Sequence, residues 1–548
     1  MTSFASLAGA VSEPRAHRAQ PIPLSILQKL MVPLGAIAFD VLFWNQEVGV
    51  NLALYSLFVV VVTLLGLPRH APQWKSAGFW TMLLGTLLSS GLVVWLGSGA
   101  ARLACVVSLG LFLGYRNQPL LRQVAYALLT ALASATLALP ALLPYLHLPV
   151  GGSAGWARAR FYSRILLLPL VTLGVFHVLF SLGSPQYAEL GHRLFGALEE
   201  WLGQVLAGIS VPHLLFFLVG FVLTAGAIVI VPYHYFLDQE SRFGEFVRRQ
   251  RDRVASLAVR RPDFSFKKFR TLDLRKEYLA ALAVFGLVNV LLLVVNALDV
   301  NLLWFGFTPR PGFDLTQFVH EGTYVLILSI LVAMGIVLWF FRRNLNFYQQ
   351  GLPALRWGAT IWVVQNVVLV ISVGLRNYYY ILHTELAYKR IGVYGFLLLT
   401  LFGLGTVLLK IWQRRSAFSL VRLNAWAVYA LVLGLAAGNW EVWITRYNLQ
   451  PRFKEVNLGF LLDMPERMLP ELAAREAVLD GMTRIVVIND SGYGETQFTP
   501  AEAHRLVKQR LQRWKEAYPR YHTWQSWTYA EAQAYEELYG QPQTKVAP

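Results

Sequence analysis

The sequence predicts an all-α polytopic membrane protein with about 11 transmembrane helices, additional interfacial amphipathic helices, and a small, mainly helical soluble C-terminal module. Three observations carry this reading. Hydrophobic residues make up 56% of the 548 and charged residues only 14%, with a mean hydropathy of +0.47. Apolar runs of roughly 18–22 residues recur along the chain, each long enough for a hydrocarbon core of about 30 Å. Between two such runs lies a basic connector, 237–278, that includes Arg248, Arg249, Arg251, Arg253, Arg260, Arg261, Lys267 and Lys268. Lys and Arg are retained on the cytoplasmic side of a bilayer, so this connector orients the helices on both sides of it.

The connector separates a first membrane half, 30–236, from a second, 279–440. Residues 1–29 form a cytoplasmic tail, and 441–548 a periplasmic module. The formal net charge of +17 is concentrated in connectors and tail. There it reads as a topology signal and as affinity for anionic lipids at the basic loop, not as nucleic-acid binding. A single cysteine, Cys105, excludes an intramolecular disulfide and a cysteine-based zinc site. The first apolar segment runs quickly into a second, which reads as an uncleaved anchor and not a signal peptide.

In chain order, the expected spans are 30–44 and 51–67, joined by the NQEVGVN turn, then 78–96 and 101–113 around a GSGAAR turn. The stretch 120–144 is apolar enough to cross, but crossing would place Arg158, Arg160, Arg164 and the basic connector outside. Arg122, Tyr126, Thr130 and Ser134 also recur every fourth residue, so an interfacial or re-entrant helix on the cytoplasmic side is expected. Span five is 165–182. An amphipathic surface helix, 186–206, follows it, and 214–233 returns to the connector. The second half alternates through 279–298, 322–341, 357–375, 391–410 and 425–440, with the chain ending outside.

After 441 the composition becomes soluble. Residues 464–479 read as a helix, and RIVVI (484–488) as a strand ended by the NDSGYG turn. Thr499, Pro500 and Glu502 form a capping box opening a helix to about Tyr518, where Pro519 stops it. Thr528 and Glu531 repeat the box for a final helix.

Several short motifs are shared with one family. They are FDVLFW…GVN (39–51), NALDVNLLWFG (296–306), HEGTY (320–324), RNYYYILHTELAYKRIGVYGF (376–396), ITRYNL (444–449) and LGFLLDMPERMLPEL (458–472). Together they resemble the polytopic bacterial inner-membrane proteins grouped as domain of unknown function 4153/4173. The resemblance implies many spans and a bacterial inner membrane, and it implies no activity.

Ionisable groups inside apolar spans are costly and demand a partner or a purpose. Asp40 lies near the outer end of the first span, as a proton or ion site or as a group that meets water. Asn289, Asn296 and Asp299 share one sector of span seven. His320 and Glu321 open span eight, and Arg376 and Glu385 follow span nine. On this topology Asp299, His320, Glu321, Arg376 and Glu385 gather at the outer mouth of the second half, as a polar pocket or as an ion-paired rim that staples helix ends. The deep amides Gln365 and Asn366, and His177 in span five, read as hydrogen-bonding glue between helices. No catalytic signature appears, and no cofactor or metal is implied.

Two functions from different classes fit. One is a transporter or permease with a polar pocket near the outer face of the second half. The other is an envelope signalling or scaffold protein that uses a periplasmic tail, with a possible protein partner, and the basic cytoplasmic loop. An enzyme is the weaker reading, because the first outer turn is too short to carry a catalytic carboxylate and surface helices.

Overall fold

A computed structural model describes residues 24–142, scattered positions between 166 and 189, and then 210–248, 274–306, 315–342, 344–348, 351–488, 495–521 and 523–540. The expectations for 165–182 and 186–206 lie largely outside these residues, as does the basic connector beyond 248. Two compact units divide the chain. The first holds the described residues of 24–45, 58–68 and 132–232; the second holds those of 46–57, 69–131 and 233–540.

In the first unit, α1 (Ile26–Phe43) starts earlier than hydropathy indicates. Ser25 and Gln28 form a reciprocal capping box that extends the helix past the apolar run. Helices α2 (Val50–Gly66) and α5 (Val124–Leu142) both begin in the second unit and end in the first. Helix α1 packs on α6 (Val211–Ile228) through two glycines. A methyl at Gly35 would sit 2.6 Å from Thr224, and one at Gly220 would sit 2.3 Å from Phe39. Small residues at a helix seam permit this close approach where lipid offers no competing hydrophobic drive.

The second part of α5 packs against α1, α2 and α6 within this unit. Ser134 Oγ bonds the backbone of Val231 in both directions, at 3.2 and 3.3 Å. Ala138 and Leu142 cluster with Leu24 and Val32, with Val62 late in α2, and with Ile228 and Val229 at the end of α6.

In the second unit, α3 (Ala77–Leu96) turns tightly into α4 (Gly99–Asn117). Gly97 takes a left-handed φ of 61°, and Ser98 caps α4. The short α7 (Tyr235–Ser241) begins the basic connector. Helices α8 (Leu274–Asp299), α9 (Leu315–Phe340), α10 (Leu352–His383), α11 (Tyr388–Gln413) and α12 (Ala417–Ala436) follow. Phe285, Val337, Trp362, Val373, Leu404 and Ile411 belong to their shared core.

Among the described residues nine helices are long and apolar enough to cross a membrane, α5 among them, and two shorter apolar helices accompany them. Leu287, Val290, Leu291 and Val294 on α8 are all more than half exposed, as a lipid-facing surface requires. Every expected span except 165–182 falls on a described helix.

After α13 (Trp440–Asn448), strand β1 (Glu455–Asn457) pairs in parallel with β2 (Arg484–Ile488), which pairs antiparallel with β3 (Glu495–Phe498). The sheet therefore has two strands beyond the one expected. Residues 458–481, between β1 and β2, are not one helix. They form α14 (Leu458–Leu462), α15 (Leu469–Ala474) and 3-10 turns, because Pro465 and Pro470 interrupt the hydrogen-bond ladder.

Helix α16 (Pro500–Tyr521) opens on the Thr499–Glu502 box, with Thr499 N–H donating to Glu502 at 2.8 Å and Glu502 N–H to Thr499 Oγ1 at 3.4 Å. It does not stop at Pro519. The ring leaves the carbonyl of residue 515 without its helical donor, and Tyr535 Oη donates to that oxygen at 3.4 Å. Thr528 sits at the N-cap of α17 (Tyr529–Tyr539), but its side chain makes no capping bond; its methyl packs against Gly97 instead.

Candidate functional site

The polar residues singled out on span seven lie along the seam between α8 and α10. These helices run parallel, since partners advance together along both: Asn289 Nδ2 donates to Gly358 O at 2.9 Å, Asn296 Nδ2 to Gln365 O at 3.0 Å, and Trp304 Nε1 to Ser372 Oγ at 3.1 Å. Gln365 Nε2 closes the ladder by donating to Asn289 Oδ1 at 2.8 Å. The positions 289, 296 and 304 against 358, 365 and 372 step by about two helical turns, which keeps them on facing stripes. A π-helical turn, Val300–Trp304, ends α8 and swings Trp304 toward Ser372.

Asp299 and Arg376 meet toward the C-terminal end of this seam. Arg376 Nη2 donates to Asp299 Oδ1 at 2.5 Å, and both side chains are only about a tenth exposed, at 10% and 9%. Leu303 O above the pair accepts from Tyr379 Oη at 3.1 Å. Three acceptor oxygens on the seam are buried without a donor among the described residues: Asn296 Oδ1, Asp299 Oδ2 and Gln365 Oε1. Asn296 and Asp299 lie on adjacent turns of one face; Asn296 donates to the backbone oxygen of Gln365, whose side chain turns to Asn289, so Gln365 Oε1 lies further along the same seam.

The remaining predicted residues are placed differently. Glu385 lies beyond α10 and accepts from the backbone N–H of Asn457 at 3.4 Å, so it serves the junction with the sheet and not the Asp299–Arg376 pair. Burial pushes its carboxyl above the usual range, partly offset by Arg390 and by that backbone donor. The side chains of His320 and Glu321 lie outside the described residues. Asp40, in the first unit, has its own partner: His213 Nε2 lies 2.9 Å from either carboxylate oxygen, and Trp44 stacks on the imidazole at 4.2 Å. Asn366 Nδ2 donates to Trp362 O within its own helix. His177 Nδ1 is 3.3 Å from Tyr187 Oη.

Sequence reasoning missed a second buried ion pair in this unit. Arg467 is held by Glu441 at 2.5 Å, while its Nη1 donates to Leu96 O at 3.0 Å and Tyr388 Oη donates to the same carboxylate at 2.8 Å. This knot ties the region carrying the sheet to the ends of α3 and α11. Next to it, Asn448 bonds both the N–H and the C=O of Leu386, at 2.6 and 2.9 Å. The ITRYNL and LGFLLDMPERM motifs therefore hold the joint that fixes the module. The one available signal was a glutamate directly after the last apolar run, with an arginine inside an otherwise apolar stretch.

Many long apolar helices with buried, mutually paired polar groups define an integral, multi-pass membrane protein. Residues 56–473 match the family Domain of unknown function (DUF4153), and the chain belongs to that family. No curated protein and no solved structure gives a match.

Proposed function

We propose that the second membrane half holds a site for a small polar solute, and that the chain works as a permease-like protein whose site faces the outer side. The observation behind this reading is the trio Asn296 Oδ1, Asp299 Oδ2 and Gln365 Oε1, buried acceptors left without donors among the described residues. A buried acceptor without a donor costs roughly 1–3 kcal/mol, so the seam favours a guest with N–H or O–H groups. A seam that served only as glue would close its own hydrogen bonds, as Asn289 does with Gly358 and Gln365.

This reading takes the membrane to be a bacterial inner membrane, with the N-terminus cytoplasmic and the C-terminus periplasmic. It takes α5 as an interfacial helix on the cytoplasmic side, on the placement of the basic residues around it. Cys105 is buried against Ser56 and Ser90, so a Cys105→Ala background suits thiol chemistry. In that background, Gln365→Cys in right-side-out vesicles reacts with a charged, membrane-impermeant methanethiosulfonate, and Asp299→Ala changes the rate. A thiol at 365 that stays unreactive from outside rejects the solute site.

The buried Glu441–Arg467 knot favours a second reading, a docking protein that presents the 455–540 module on a rigid membrane base. Separating the two requires a readout at each place. Reactivity at position 365 reports the first, and loss of a co-purifying protein on Arg467→Met reports the second.

A further inference from the structure

The start of the basic connector folds back onto the helix ends around it. Glu240, only 2% exposed, accepts from the backbone N–H of Arg122 at 2.8 Å, from Arg122 Nε at 3.0 Å and from the Gln123 N–H at 3.4 Å. Glu245 accepts from Arg122 Nη1 at 3.0 Å and Arg422 Nη2 at 3.1 Å, with Arg415 4.0 Å away. The chain is pinned here by Ser416 N–H to Glu245 O at 2.9 Å and Val247 N–H to Arg414 O at 2.9 Å. Phe243 stacks on Phe418 at 5.9 Å, and Arg122 lies over the same ring at 5.1 Å.

Around this knot are polar groups that the described residues do not satisfy: Tyr115 Oη, Gln123 Oε1, Ser419 Oγ and Arg422 Nε. Tyr115, Gln123 and Ser419 are each more than nine-tenths buried. Gln123 follows the Arg122 that binds Glu240, Ser419 follows the stacked Phe418, and Tyr115 lies within electrostatic reach of Glu240 and Arg422. Four unsatisfied side chains from three chain segments thus share one neighbourhood. Three arginines (Arg122, Arg415 and Arg422) stand there against two carboxylates that are already engaged. Ser419 also lies in the first turn of the 20-residue α12, whose N-terminus favours negative charge.

We propose that this knot is a binding site for a phosphoester that carries free hydroxyls, of the glycerophosphate type. The donors Arg422 Nε, Ser419 Oγ and Tyr115 Oη suit a phosphate, and the excess of arginines supplies its counter-charge. The acceptor Gln123 Oε1 suits a hydroxyl of the esterifying alcohol, which inorganic phosphate lacks. The group can come from a soluble glycerophosphate or from the headgroup of phosphatidylglycerol. The site is independent of the α8–α10 seam and of the solute reading built on it.

The test uses the full chain purified in neutral detergent. Isothermal titration with sn-glycerol 3-phosphate and with inorganic phosphate, at matched ionic strength, reads the soluble source. Native mass spectrometry after exchange into phosphatidylglycerol or phosphatidylcholine reads the lipid source. Either sn-glycerol 3-phosphate binds at least about tenfold more tightly than inorganic phosphate, about one hydrogen bond of discrimination, or one phosphatidylglycerol is retained where phosphatidylcholine is not. The first result assigns a soluble phosphoester and the second a headgroup. Ser419→Ala abolishes the binding observed, and Gln123→Ala removes the preference for the hydroxylated ligand even if Ser419→Ala fails to fold. Retention of neither ligand overturns the proposal, and so does unchanged binding and preference in Gln123→Ala.

Discussion

The Asp299–Arg376 pair decides whether the polar seam is a buried structure or a wet rim. Asp299→Ala removes the carboxylate from a guanidinium 2.5 Å away, in a place where both side chains are about a tenth exposed. Breaking such a pair strands a desolvated cation and costs about 3–5 kcal/mol, whereas a solvated pair costs less than about 1 kcal/mol. Replacing both partners, as in Asp299→Leu with Arg376→Met, removes the stranded charge and restores most of the loss. The assay is equilibrium unfolding in mixed micelles, followed by tryptophan fluorescence, for both single variants and the double variant. A single-variant cost below about 1 kcal/mol, or a double variant as unstable as the worse single one, refutes the buried-pair account.

Other expected outcomes follow from the same geometry. Gln365→Leu breaks the amide ladder and costs about 0.6–2 kcal/mol in the same unfolding assay. His504 bridges Glu476 at 2.5 Å and Asp480 at 2.9 Å, and these bonds raise its pKa above the ordinary value near 6.5. The contribution of this bridge is therefore complete below pH about 6.5 and is lost as pH rises through the raised value; amide exchange over α16 should accelerate across that window, and His504→Gln should flatten the dependence. Glu385 has a raised pKa for the opposite reason, burial of its charged form, so stability falls as pH rises through it. Glu385→Gln should accordingly leave the protein no less stable at pH 7, measured by thermal unfolding. Arg467→Met strands the Glu441 carboxylate, at 5% residue exposure, and should release the module to proteolysis while the membrane helices stay folded.

Apolar length and charge placement made most of the helices legible, because a bilayer leaves few alternatives for an apolar run of that length. Local chemistry was legible where it is self-contained. The Thr499–Glu502 box opens α16 as its four residues dictate. It was illegible where tertiary contact overrides it: Thr528 has the sequence of a cap, yet its methyl faces Gly97, and Pro519 is carried in a helix by a hydroxyl from Tyr535. Strands β1 and β3 hold only three and four residues, too few for a period-two pattern to stand out.

The site followed the same division. Asn289, Asn296 and Asp299 share a helical face by spacing alone, so their common seam was readable. Their partners, 69 to 77 residues away on α10, were not readable as partners, although Gln365 and Arg376 were recognised as out of place in an apolar setting. Glu385 was misplaced because the end of α10 and the position of Asn457 are set by how the module folds.

The most direct test of the account is an experimental map of the chain in lipid nanodiscs at a resolution that shows bound small molecules. Density that does not belong to the chain, within hydrogen-bond distance of Asn296 Oδ1, Asp299 Oδ2 and Gln365 Oε1, is the predicted result. Finding all three oxygens occupied by donors from the protein itself, with Arg376 still on Asp299, would contradict the solute site and leave the seam as helix-to-helix glue.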